Sequence, residues 1–207
     1  MKCNTRRVGM DRMTEVYKTL GGSILSYLDA SAGCIAAEEY GYRRKRLQEM
    51  YDTTNSYLGY MMDIHSEAND DNRKRAANAL REVKEKLLKY AGFDFDAATA
   101  ALPPEDIFGR TWHSEKLMHK HETRRKFLAD MEPVAQTYHA EVLHWFWLHK
   151  GFGHDRLMRL YGLLRQDYNY FVSEYLRCNA DGDKRVQDRL AEMQDRLEAI
   201  GLEFVET

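Results

Sequence analysis

The stretch that decides the fold class is residues 183–200, DKRVQDRLAEMQDRLEAI. Its apolar side chains recur at intervals of four, three, four and three residues, and charged residues fill most of the other positions. This spacing places the apolar side chains on one face of an α-helix, along which one helix packs on another. Residues 72–91 repeat the same intervals. The two apolar series are Val186, Leu190, Met193, Leu197 and Ile200, and Ala76, Leu80, Val83, Leu87 and Tyr90.

These two segments belong to a longer internal repeat with an offset of 110 residues. Between residues 41–90 and 151–200 the register holds without a gap, and 12 of 50 positions are identical. The repeat predicts an all-α fold made of two tandem copies of a three-helix unit, with additional helices before each copy. The predicted helices are residues 23–40, 43–67 and 72–91, then 133–149, 154–177 and 183–200, with the additional helices at 10–20 and 112–129.

Polar turns and prolines mark the boundaries between these helices. Asp71 or Asp183 can cap the third helix of its copy. Pro133 suits the first turn of a helix, where its missing N–H costs nothing. Pro103 and Pro104 lie in the segment with the composition of a linker. The sequence therefore predicts an N-terminal helical repeat over residues 1–92, a linker over residues 93–111 and a C-terminal helical repeat over residues 112–207.

The composition limits the classes of function. The chain has 207 residues, 31 basic and 33 acidic side chains and a net charge of −2, so a globally basic nucleic-acid binder is not expected, although a local basic patch is compatible with it. The three cysteines have wide spacings and no CxxC pair, which is typical of reduced thiols in a cytoplasmic protein. Charged residues interrupt the N-terminal region, and no apolar run is long enough to cross a bilayer. We therefore expect neither a signal peptide nor an association with a membrane.

Histidines are concentrated in the second half, where seven of eight lie between His113 and His154. His139, His144 and His149 are five residues apart and therefore do not share one helix face, as metal ligands would need to. One Glu-x-x-His motif, Glu141 to His144, is present, whereas a dimetal bundle needs two such motifs and two more glutamates. The chain also lacks nucleophile and phosphate-loop motifs. We therefore expect no metal, no cofactor and no enzymatic activity.

The most specific local feature is a Gly-aromatic turn between the first and second helix of each copy. It reads Gly41-Tyr42 in the first copy and Gly151-Phe152-Gly153 in the second. We expect the glycines to take positive φ and the aromatic ring to fill the core. Arg46 and Arg156 occupy matching positions near the start of the helix that follows each turn. This match predicts a structural role common to both copies, such as pairing with a carboxylate of the preceding helix.

The first copy adds a basic cluster at this turn, made of Arg43, Arg44 and Lys45 ahead of Arg46. Cations at a helix N-terminus oppose the helix dipole unless an anion is bound there. The cluster is therefore a candidate contact for phosphate or for an acidic partner. The alternative is a solvated basic face offset by Glu38 and Glu39. A second and weaker candidate is the basic run Arg124, Arg125 and Lys126.

The aromatic run His144-Trp145-Phe146-Trp147-Leu148 precedes the second turn. Two residues correspond to about 200° around a helix, so Trp145 and Trp147 cannot both face one core. One of them either meets the other copy or is exposed as a surface for a partner.

Residues 142–157, with Leu143-His144, Gly151-Phe152-Gly153 and Arg156-Leu157, resemble a group of small bacteriophage and prophage proteins. The closing Leu197 to Phe204, LEAIGLEF, is similar to their usual ending. The sequence departs from that pattern at Lys150, His154 and Asp155. The resemblance implies a mobile-element origin but no activity, and phage accessory proteins without catalytic motifs often inhibit host machinery, anti-CRISPR proteins being one such class.

These observations lead to one functional hypothesis with two alternatives. The first is a phage-type, non-enzymatic binding protein that inhibits a host nucleic-acid-processing or defence complex through a protein partner. The second is a DNA-metabolism or replication accessory protein that binds nucleic acid directly through the basic turn. The third is a metal-dependent helical-bundle enzyme.

Overall fold

The computed structural model describes residues 24–54, 70–101, 115–176 and 180–202. Within these ranges every regular element is an α-helix, which confirms the predicted all-α class. The predicted helix at residues 10–20 and the second half of the predicted helix at 43–67 lie outside the described residues. The helices are α1 (residues 24–40), α2 (residues 44–54), α3 (Asp70–Ala91), α4 (Phe95–Ala101), α5 (Glu115–Lys150), α6 (His154–Leu176) and α7 (Ala180–Glu198).

Helix α5 is continuous where the sequence predicted two helices, at 112–129 and 133–149. Pro133 lies inside it rather than in a first turn, so that prediction is wrong. Proline removes a backbone hydrogen bond from a helix interior. The helix continues because Met131, Val134 and Tyr138, which lie on either side of the proline, are buried in the core. Tertiary packing thus outweighs the local preference of proline for a helix start.

The beginning of the predicted linker at 93–111 is also a helix. Phe93 and Phe95 are buried and pack edge-on or tilted against the ring of Tyr161, at centroid distances of 6.2 and 4.8 Å. Asp94 caps α4, since its carboxylate accepts the backbone amides of residues 96 and 97 at 3.1 and 2.9 Å. Residues 93–101 therefore belong to the packed structure, and residues 102–111 lie outside the described residues.

The predicted caps of the third helices are shifted. Helix α3 begins at Asp70 and α7 at Ala180, so Asp71 and Asp183 lie inside the first turn rather than at the cap position. Carboxylates in a first turn still interact favourably with the helix dipole.

Helix α1 and the C-terminal half of α5 lie side by side at the centre of the fold. The Tyr138 hydroxyl donates to an Asp29 carboxylate oxygen at 2.8 Å, and the rings of Tyr40 and Phe146 are 5.6 Å apart. Because contacts advance in the same direction along both helices, α1 and α5 are parallel here. Helix α6 returns antiparallel to α5, with Arg165 bound to Glu132 at 2.7 Å.

The third helix of each half packs on the first helix of the other half. Helix α7 lies along α1, where the Cys34 thiol donates to the Met193 carbonyl at 3.4 Å and Arg196 pairs with Glu38 at 2.9 Å. Helix α3 lies along α5, where the rings of Tyr90 and Trp147 stack at 5.9 Å. The two halves therefore share one hydrophobic core.

Candidate functional site: the basic end of the bundle

Four helices end in glycines with left-handed backbone geometry. The φ angles are 66° at Gly41, 63° at Gly92, 64° at Gly151 and 87° at Gly201. In each turn the amide of the following residue donates back to the last helical turn, at 3.1 to 3.4 Å. A residue with a β-carbon strains in this conformation, which explains glycine at the four positions.

The four turns lie together at one end of the molecule. The ring of Tyr40, beside the Gly41 turn, is 4.9 Å from that of Phe152 in the Gly151 turn. Phe93 of the Gly92 turn is 6.1 Å from the His154 ring. A β-carbon added at Gly201 would lie 3.3 Å from Arg44 Cδ, so the last turn touches the first. We call this surface the basic end because of the side chains described next.

The two Gly-aromatic turns place their rings and arginines alike. Tyr42 is buried and stacks on Phe146 at 5.4 Å, and burial raises the pKa of its hydroxyl to about 12. The Arg46 guanidinium lies 5.6 Å from the Tyr42 ring centroid, and that of Arg156 lies 5.6 Å from the Phe152 ring. The contact common to both arginines is thus a cation–π interaction with the turn's own aromatic ring.

Gly153 differs from the expectation that the glycines of this turn take positive φ. It is not one of the positive-φ residues, and its carbonyl accepts the Leu157 amide at 3.1 Å, which makes it the N-cap of α6. A β-carbon at Gly153 would meet no atom within 4 Å. The first copy accordingly has Arg43 at this position.

The basic cluster Arg43, Arg44 and Lys45 is exposed at the start of α2. The Arg43 carbonyl accepts the Arg46 and Leu47 amides at 2.9 and 3.2 Å, so Arg43 is the N-cap and the other two lie in the first turn. Cations at these positions interact unfavourably with the dipole of α2.

The two carboxylates expected to offset the cluster are engaged by other cations. Glu38 pairs with Arg196 of α7 and Glu39 pairs with Arg159 of α6. Within the part of the chain that the structure describes, no carboxylate forms an ion pair with Arg43, Arg44 or Lys45. The alternative of a basic face neutralised by these two acids is therefore weakened.

Lys150, at the end of α5, adds another cation to the basic end. Its ammonium lies 5.4 Å from the Tyr42 ring and 4.9 Å from the Trp145 ring. Lys150 was not predicted as a site residue from the sequence, although a cation in the last turn before a glycine is a recognisable helix-end signal. The second basic run, Arg124, Arg125 and Lys126, lies within helix α5, and its side chains fall outside the part of the chain that the structure describes.

The histidines do not form a metal centre within the described ranges. No three His, Cys, Asp or Glu side chains among those residues are grouped to hold a metal ion. Glu141 is partly buried, and this burial raises the pKa of its carboxyl to about 7. His144 lies with its ring 5.6 Å from that of Trp147, and His139 is fully buried among tyrosine rings.

A shallow groove of about 420 Å³ runs between α6 and α7. Arg189 crosses it, with its guanidinium 3.0 Å from an Asp167 carboxylate oxygen and 5.4 Å from the Tyr170 ring. Arg185 pairs with Glu174 at 2.5 Å. The two arginines of the groove are thus engaged in contacts that hold α6 and α7 together, and we assign no binding role to the groove. Its lining is Gln166, Asp167, Tyr170, Arg185, Asp188, Arg189 and Glu192.

Comparison with known proteins adds no relative. No protein-family model matches the chain, and neither curated proteins nor solved structures give a significant match. In the described part of the chain, no helix is both long and apolar enough to span a membrane. Function is therefore inferred from the chain's own residues.

Proposed function

We propose that this protein is a non-enzymatic binding protein whose basic end contacts an anionic surface of its partner. The observation that carries the proposal is the exposure of Arg43, Arg44 and Lys45 at a helix N-terminus while Glu38 and Glu39 are bound elsewhere. An anion at this position would relieve the unfavourable interaction of the cluster with the dipole of α2. Arginine is also suited to bidentate contacts with carboxylates and phosphates.

The biological setting that we propose rests on the resemblance to phage proteins. We take the partner to be a host nucleic-acid-processing or defence complex in the bacterial cytoplasm, which the protein inhibits by occupying an anionic surface. Support comes from the resemblance of residues 142–157 and 197–204 to small phage proteins. The anti-CRISPR class is an analogy for this mode of action.

We infer that the two halves of the chain arose by an internal duplication. The matching turns at Gly41 and Gly151, the equal arginine–ring distances and the reciprocal packing of α3 and α7 support two copies of one three-helix unit. The cluster occurs in the first copy alone, since the second has Gly153, His154 and Asp155 at the corresponding positions. A structural role common to both copies does not require these cations, which favours a role in binding.

Direct binding of nucleic acid is the second candidate. It is favoured by the addition of Lys150 to the cluster, because cations contributed by two helices can follow a phosphate backbone. The metal-dependent enzyme has no comparable support from the described residues.

The proposal is tested by replacing the three cations together, as R43Q/R44Q/K45Q. Binding is measured by fluorescence anisotropy with two anionic probes, polyglutamate and a duplex oligonucleotide, at two salt concentrations. We expect the wild type to bind at least one probe and the triple variant to bind it about tenfold more weakly or worse. Direct nucleic-acid binding predicts that affinity for the oligonucleotide falls steeply with salt, with a slope of about 0.9 per phosphate contact.

Stability is measured in parallel because the three cations differ in their surroundings. Removing Arg43 and Lys45 eliminates two unfavourable interactions with the dipole of α2, each of which lowers the free energy of unfolding by about 0.3–1 kcal/mol. Arg44 lies at the C-terminal end of α7, where a cation is favourable, so we expect little net change in the free energy of unfolding of the triple variant.

The matched control for binding is H154Q/D155N, at the corresponding positions of the second Gly-aromatic turn. Normal binding by the triple variant would show that the cluster is only a solvated face, and R43Q/K45Q keeps the test decisive if the triple variant unfolds.

A further inference from the structure

A partly exposed aromatic stack lies where α3 meets α5. The rings of Tyr90 and Trp147 stack at 5.9 Å with an interplanar angle of 17°, and the His144 ring lies 5.6 Å from that of Trp147 in a tilted arrangement. Tyr90 and Leu148 are each 56% exposed, a large fraction for apolar side chains on a packed bundle. We call Tyr90, His144, Trp147 and Leu148 the α3/α5 face.

Cations border this face. Lys89 places its ammonium 4.9 Å from the Tyr90 ring. Lys86 lies close enough to His144 to contribute to the lowered pKa of that imidazole, of which burial is the main cause. Both lysines are exposed, and neither forms an ion pair with a carboxylate of the described residues.

The corresponding face between α1 and α7 is different in chemistry. Shifting by 110 residues replaces Leu148 by Glu38 and Lys86 by Arg196, and these two form an ion pair at 2.9 Å. The same shift replaces the stacked pair Tyr90 and Trp147 by Ile200 and Ala37. Trp147, Ile200 and Ala37 all pack on the core, so the difference is greatest at the exposed Tyr90. Helix packing at this position therefore needs neither an aromatic stack nor an exposed leucine.

We propose that the α3/α5 face docks a protein segment that presents apolar side chains flanked by carboxylates. Apolar and aromatic side chains at the centre with cations at the rim are typical of protein interfaces, and the lysines complement an acidic segment. This inference rests on the proposed function in taking the protein to act by binding, and it adds the chemistry of the partner at a second surface.

Two other occupants fit this face less well. Nucleic-acid bases need free aromatic ring faces for stacking, whereas Trp147 and Tyr90 already stack on each other and the Lys89 ammonium lies over the Tyr90 ring. A second copy of the same chain would bring Lys86 and Lys89 against identical lysines, which repel each other.

The test selects ligands from a yeast-displayed library of random peptides on the wild-type protein, with counter-selection on L148E. That substitution places on α5 the residue that α1 has at the corresponding position, within reach of Lys86, so we expect it to fold normally. The enriched peptides should combine apolar residues with Asp or Glu and should bind L148E about tenfold more weakly or worse than the wild type. The matched control E38Q, on the α1/α7 face, should bind them as the wild type does.

Three results would overturn the proposal. They are no enrichment over the counter-selection, enrichment of basic peptides, or displacement of the bound peptides from the wild-type protein by oligothymidylate. Should L148E lose its thermal transition, the charge reversal K86E at an exposed site gives the same test, with loss of binding expected. The peptides are also measured on R43Q/R44Q/K45Q. If the peptides bind R43Q/R44Q/K45Q normally and L148E weakly, they bind at the α3/α5 face and not at the basic end. The proposal for either surface can then be rejected without rejecting the other.

Discussion

His139 is a fully buried imidazole with no hydrogen-bond partner for either ring nitrogen. It lies in α5 with its ring 6.1 Å from that of Tyr161 and 5.9 Å from that of Tyr168. Burial, with a contribution from the Arg165 charge, lowers its pKa to about 3. The imidazole is therefore neutral in the folded protein at any physiological pH, and its role is to fill space.

This lowered pKa predicts a loss of stability in acid. Below the ordinary histidine pKa of about 6.5 the unfolded chain binds a proton that the folded protein does not, so acidification favours unfolding. Between pH 7.5 and pH 5 we expect the wild type to lose about 2 kcal/mol relative to H139F, which has a ring of similar shape and no titratable group. Urea unfolding of both proteins at the two pH values measures the difference.

Comparison with H139F is necessary because two carboxyls act in the opposite direction. Burial raises the pKa of Asp29 to about 6 and that of Glu141 to about 7, so each of these groups stabilises the fold as the pH falls through its raised pKa. Their contribution is the same in both proteins and cancels in the difference. Parallel pH curves for the wild type and H139F would contradict the assignment of a lowered pKa to His139.

At the scale of the elements, the close approach of α1, α2 and α7 depends on Gly33. A β-carbon at this position would overlap the Tyr51 hydroxyl and lie 3.2 Å from Leu197 Cδ1. The Tyr51 hydroxyl cannot move freely because it donates to the Asp29 carbonyl at 2.9 Å. The glycine is thus required by helix packing rather than by backbone conformation.

We therefore expect G33A to destabilise the protein by about 1 to 3 kcal/mol, the usual cost of overpacking. The variant Y51F alone should lose about 1 kcal/mol, since it removes one hydrogen bond. In the double variant G33A/Y51F the missing hydroxyl leaves room for the new methyl group, so its loss should be smaller than the sum of the two. Chemical unfolding of the four proteins in a double-mutant cycle gives the coupling, and strict additivity would show that the two residues do not clash.

At the scale of the whole molecule, the exchange of third helices makes the two halves interdependent. Helix α3 buries Val83 and Leu87 in a core completed by α5, and α7 buries Met193 and Leu197 against α1. Separated from each other, the halves would expose these side chains to water, at a cost of about 1.5 to 3 kcal/mol for each large side chain.

Fragments 1–111 and 112–207 expressed separately should therefore lack a cooperative thermal transition, and mixing them should restore it. Circular dichroism and size-exclusion chromatography measure both properties. As a control, an intact chain with a protease site between residues 102 and 111 should remain a single folded particle after cleavage. A cooperative transition in either fragment alone would show that it is an independent domain.

From local patterns alone, the amino-acid sequence predicts the helical class, the approximate extent of most helices and the Gly-aromatic turns. These properties depend on local periodicity and on the few residues that tolerate a left-handed backbone, as at Gly41 and Gly151. It also singled out Arg43, Arg44 and Lys45, because a run of cations at a helix start is visible without any tertiary contact.

The pairing of helices depends on long-range packing and is visible in the folded structure alone. An apolar stripe shows which face of a helix is buried but not which partner buries it, so the packing of α3 on α5 and of α7 on α1 could not be predicted. For the same reason Pro133 was taken for a helix start and residues 95–101 for part of a linker, although buried neighbours keep both segments helical. The engagement of Glu38 and Glu39 by Arg196 and Arg159 is likewise a long-range property, because these ion pairs join residues more than a hundred positions apart in the chain.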